Sequence, residues 1–172
     1  MDYVLGIGPN AVFRYVTNIP FNVDFPRMLA LGNKHCSLQL LTLCGLGLNL
    51  AEVITLVAEL PLLTDLYCGT RGLGPSVKMQ PLGEFAAVMN SQVLGSEKRL
   101  RCWHLDYWNA CSDNEVAVCV LLLALACPKF NHVAPNTNDD DAFKREMEQI
   151  IELDWCMPYA PRLQRVTCCS DP

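Results

Sequence analysis

The run from Val116 to Cys127 is twelve consecutive apolar residues, closed by Pro128. A bilayer-spanning helix needs about 20 apolar residues, so this run is a buried core segment. Ser112-Asp113-Asn114-Glu115 stands before it. A polar cap followed by acids in the first turn is a favourable helix start. The helix predicted over 116–126 is apolar all round, so other elements must cover it on every side. The chain can supply that cover: of its 172 residues, 51% are hydrophobic and only 18% charged. That is enough for one domain with a substantial core.

The remaining periodicity reads as further helices. Asn49 caps a helix on which Leu50, Val53, Ile54, Val57 and Leu60 recur at helical spacing, ended by Pro61. Residues 84–94 suggest a short helix. Residues 97–111 place Leu100, Trp103, Tyr107 and Ala110 on one side. Asp139-Asp140-Asp141 opens an amphipathic helix carrying Phe143, Met147, Ile150, Ile151 and Leu153. The expected fold class is therefore all-α: an irregular bundle of about six helices around 116–126. One helical domain is expected over 1–172. A Gly/Pro-rich linker at 68–83 and an irregular tail at 156–172 interrupt it.

Residues 13–47 suggest a short run, a link and two more helices. Pro26 suits a first helical turn, Asp24 can cap it, and Gly32-Asn33 can stop it. Arg14-Tyr15-x-x-Asn18-Ile19-Pro20-Phe21-Asn22, followed by Arg27-Met28-Leu29-x-Leu31-Gly32, resembles the start of the helicase-associated (ratchet) domain of DEAH/DExH-box RNA helicases. His35-Cys36-Ser37-Leu38 and Leu41-Thr42-Leu43-Cys44-Gly45-Leu46 stand where that family has a Cys-Leu pair and an Ala-rich helix. The resemblance covers residues 13–48, with a faint echo over 84–155. Val23-Asp24 replaces the family's Pro-Arg. The resemblance implies a non-catalytic helical module that walls an RNA channel and follows the motion of a motor. Lys98, Arg99 and Arg101, the one dense basic cluster, would then contact RNA phosphates beside Trp103, His104, Tyr107 and Trp108.

Charge and cysteine usage set bounds on these readings. There are 13 Lys+Arg against 18 Asp+Glu, a net charge of −5, which argues against strong autonomous nucleic-acid binding. The ten cysteines lie mostly inside apolar runs and read as buried thiols in an intracellular setting: cytoplasm, nucleus or organelle matrix. A secreted disulfide framework is the competing reading. The first residues carry no secretory signal and no run is long enough for a membrane span. Gly6-x-Gly8-x-x-Ala11 and Gly69-Thr70-Arg71-Gly72-Leu73-Gly74 match phosphate-binding loops only in outline, since neither has the rest of its motif. No Cys-x-x-Cys or His-x3-His pair is present, so no metal site, cofactor or catalytic residue is expected. The second functional reading is a structural subunit, its apolar excess buried against protein partners in a larger assembly. A third, an enzyme with a cysteine nucleophile, would need one thiol of lowered pKa.

Overall fold

Short parallel strands, not helices alone, organise the chain, and the all-α expectation is corrected to α/β. The computed structural model describes residues 12–14, 38–91, 98–105, 111–135 and 140–168. Six strands form one sheet in sequential order, every neighbouring pair parallel. They are β1 Val12–Arg14, β2 Leu40–Leu48, β3 Asp65–Thr70, β4 Cys102–Leu105, β5 His132–Pro135 and β6 Thr167–Cys168. Parallel neighbours need a crossover between them, and from β2 onward helices supply it. After β2 comes α1, Leu50–Glu59. After β3 come α2, Pro75–Lys78, and α3, Leu82–Ser91. After β4 comes α4, Asp113–Ala126. After β5 come α5, Asp140–Ile151, a 3-10 turn at Met157–Tyr159, and α6, Ala160–Leu163. Sequential parallel strands joined this way have the connectivity of a βα solenoid, in which each unit stacks on the last.

One sequence pattern repeats with the strands. An apolar residue is followed at the third and fifth positions by two more: Leu38, Leu41, Leu43; then Leu63, Leu66, Cys68; then Leu100, Trp103, Leu105; then Phe130, Val133, Pro135. All twelve are buried except Leu41, which packs against the core from a half-buried position. The backbone repeats with them. Asp65 N–H donates to the Gln39 carbonyl at 3.1 Å, Cys102 to Thr64 at 3.1 Å, His132 to Arg101 at 3.0 Å, and Thr167 to Asn131 at 2.9 Å. The pattern contains a step of three, which mimics a helix, and a step of two, which belongs to a strand. That is why the stripe through Leu100 and Trp103 reads as helical in sequence. The helix expected over 97–111 is instead β4 and its approach, with 106–110 outside the described residues. The segment expected to be helical over 38–46 lies largely in β2, whose pairing with β3 shifts between Leu43 and Gly47. The expected helix at 26–32 lies outside the described residues.

The helix layer is built around α4, as its composition requires. Every residue from Val116 to Ala126 is buried, and α4 touches α1, α3, α5 and α6. Ser112 caps it, its hydroxyl accepting from Glu115 N–H at 3.2 Å. Asn49 and Glu52 form a reciprocal capping box on α1, at 3.0 and 2.7 Å. Residues 68–83, expected as a linker, finish β3, turn, and form α2. Gly72 and Gly74 take positive φ of 76° and 81°, a backbone that favours glycine. Residues 156–168, expected to be irregular, hold the 3-10 turn, α6 and β6. No described helix is long and apolar enough to cross a membrane.

Candidate functional site: the polar face of the sheet

Alternation along each strand sends one set of side chains under the helices and the other set to the opposite face. On β3 and β4 the covered set is Leu66, Cys68, Trp103 and Leu105, all at most 1% exposed. The opposite set is Asp65, Tyr67, Cys102 and His104, all half-buried. Strand register aligns this second set into two rows across the sheet. One row runs Leu40, Asp65, Cys102, His132, Thr167. The other runs Thr42, Tyr67, His104, Ala134. From β2 to β6 these rows hold one carboxylate and no Lys or Arg.

The rows are internally ordered. The His104 imidazole lies flat on the Tyr67 ring, with centroids 3.6 Å apart and planes 4° from parallel. Its Nε2 is 3.7 Å from Asp65 Oδ1. Each of Asp65, Cys102 and His104 offers a ligand-type atom, and these atoms lie within 4.8 Å of one another. Across the next strand pair, Thr167 Oγ1 donates to the Asn131 carbonyl at 3.2 Å. The same hydroxyl is hydrogen-bonded to His132 Nδ1 at 2.7 Å.

The basic cluster sits elsewhere. Lys98 Nζ donates to the Ala58 carbonyl at 2.7 Å, in the last turn of α1, where a cation meets the negative end of the helix dipole. Arg99 and Arg101 are exposed on either side of buried Leu100. Of the aromatics placed beside them in sequence, Trp103 turns inward. Its indole N–H donates to Cys68 Sγ at 3.3 Å. Tyr107 and Trp108 lie outside the described residues.

The glycine-rich loop after β3 holds a carboxylate. Leu73 N–H donates to Glu115 Oε1 at 3.0 Å, and Lys78 pairs with the same oxygen at 2.9 Å. That carboxylate occupies the space a Cβ on Gly72 would need. A phosphate in this loop would meet like charge.

Four described thiols, Cys111, Cys119, Cys127 and Cys156, are held protonated. Cys119, Cys127 and Cys156 are free thiols. Burial pushes the Cys111 thiol up to about 11, helped by the charge of Glu115, and pushes Cys127 and Cys156 up to about 12. Cys119 is raised further, by burial first and Glu115 second. A cysteine nucleophile needs the opposite shift.

Sequence reading missed Asp65, Tyr67, Cys102 and His132 as neighbours. The signal was the recurring three-then-two apolar step beginning at residues 38, 63, 100 and 130. Once it fixes the strands, the positions between its apolar residues fall on the polar face. In comparisons with protein-family models, curated proteins and solved structures, nothing matches this chain.

Proposed function

We propose that the chain is a non-catalytic protein-interaction module, a βα solenoid that binds a partner protein through the polar face of its sheet, opposite the helices. The observation that carries this reading is the register. Neighbouring strands stand about 4.8 Å apart, so each row forms a rigid, evenly spaced line of side chains backed by a dry core. Aromatic, imidazole, hydroxyl and thiol groups at fixed spacing suit an extended polypeptide, with Tyr67 as the large rigid contact. The charge selects the partner's chemistry. Asp65 is the one formal charge in the rows from β2 to β6, and the whole chain carries −5. A polar segment bearing Lys or Arg fits such a face, whereas a nucleic-acid backbone requires cations.

The RNA-channel reading rests on Lys98, Arg99 and Arg101, of which Lys98 is engaged at the end of α1. One experiment separates the two readings. Partners are captured from lysate on the wild-type chain, on Tyr67→Ala/His132→Ala, and on Arg99→Glu/Arg101→Glu, alongside a salt titration of RNA binding. A protein lost only with the first variant supports the polar face. Salt-dependent RNA binding lost only with the second overturns it in favour of an RNA module.

A further inference from the structure

We propose that Asp65, Cys102 and His104 form a binding site for one divalent, zinc-like metal ion. The site does not depend on the partner reading, because its three ligands belong to this chain and share one rigid stretch of sheet. Asp65 and Cys102 are directly paired across β3 and β4. His104 is two residues beyond Cys102 on the same strand and so on the same face.

Distance and donor chemistry carry the argument. His104 Nε2 and Asp65 Oδ1 are 3.7 Å apart, too long for a hydrogen bond. Around a tetrahedral zinc ion with ligand bonds of about 2.0–2.3 Å, neighbouring ligand atoms stand roughly 3.3–3.6 Å apart. The observed pair is already near that spacing. All three ligand atoms lie within 4.8 Å of one another. A simple His–carboxylate contact would account for two of the three groups; the thiol of Cys102 converging on them is the additional fact. One sulfur, one imidazole nitrogen and one carboxylate oxygen form a mixed donor set that favours zinc over magnesium or calcium, which take oxygen ligands. The Tyr67 ring lying flat against His104 fixes the imidazole plane, as groups around a metal site commonly do for their histidines. Binding takes the thiolate of Cys102 and releases its proton to solvent. The described residues supply three of the four tetrahedral ligands.

The test uses the full chain, stripped with chelator and kept reduced by a phosphine, and titrated with Co(II). One equivalent is expected to produce a thiolate-to-cobalt charge-transfer band with tetrahedral ligand-field bands, and one equivalent of Zn(II) should abolish them. Cys102→Ser should remove the charge-transfer band. Asp65→Asn and His104→Gln should weaken binding by about tenfold or more. In the unmutated protein, Zn(II) should slow alkylation of Cys102, read by peptide mass spectrometry, which needs no variant to fold. The proposal is overturned if no stoichiometric band forms and Cys102 is not protected. It is equally overturned if the band survives Cys102→Ser and disappears in Cys168→Ser/Cys169→Ser, which would mean adventitious binding by the vicinal pair.

Discussion

The two faces of β3 and β4 are made by the same ten residues of backbone and hold opposite chemistry. Under the helices, Leu66, Cys68, Trp103 and Leu105 are dry, and even the Trp103 indole N–H is satisfied by a sulfur. On the other side, Asp65, Tyr67, Cys102 and His104 are half-buried and polar, and they meet one another across the strand pair. The difference shows how labour is divided. The covered face supplies the burial that holds the strands in place. The polar face gains fixed spacing from that without having to provide stability. A binding surface made this way can change its side chains while the fold stays, because few of them contribute to the core.

Truncating the covered face should be far more costly than truncating the polar one. Trp103→Ala is expected to lower stability by about 3–5 kcal/mol, measured by urea denaturation. A loss below about 1 kcal/mol would break the comparison, since Trp103 would then not anchor the sheet to the helix layer. Gly72→Ala comes next, at about 1–3 kcal/mol. Its Cβ needs both the positive-φ backbone and the place of the Glu115 carboxylate, which ties the loop after β3 to α4. In a double-mutant cycle with Glu115→Ala, the combined loss should be less than the sum of the two single losses, because the second change removes the collision but not the positive-φ strain.

Raised pH should attack the covered side only. Burial keeps Cys119 and Cys127 protonated in the folded state, the latter up to about 12 against an ordinary 9.0. A thiol with a raised folded pKa contributes stability fully below the unfolded value and loses it as pH climbs toward the folded one. The contribution of these thiols should therefore be constant well below pH 9.0 and fall between there and about 12, followed by circular dichroism in urea at stepped pH. Alkylation at neutral pH sharpens the same contrast: Cys102 should react well before Cys119 or Cys127, by mass spectrometry. The smallest effect is expected from Tyr67→Ala, about 1 kcal/mol or less, the range of a single aromatic stack. The circular dichroism spectrum should stay unchanged while partner capture is lost.

Much of the helix layer could be read from the sequence. Asn49 with Glu52, and Ser112 with Glu115, announce the starts of α1 and α4, and both caps form. The apolar stripe of Phe143, Met147, Ile150 and Ile151 marks the buried side of α5. These signals are local: a cap is made within four residues, and a stripe within a few turns. The strands were not legible in the same way. Each from β3 onward is at most six residues long, and its apolar partners begin with a step of three that a helix would also use.

By itself, then, the sequence determined that 116–126 must be a helix covered on all sides, where the capped helices begin, and that Cys119 and Cys127 belong to the interior. Only the tertiary structure decided that the cover is a parallel sheet with helices, and that Asp65 should meet Cys102 and His104. The reason is physical. Helical order is set by neighbours within four positions along the chain. Parallel pairing joins residues separated by a whole βα unit, such as Asp65 with Cys102 and Cys102 with His132, and no local preference records that register.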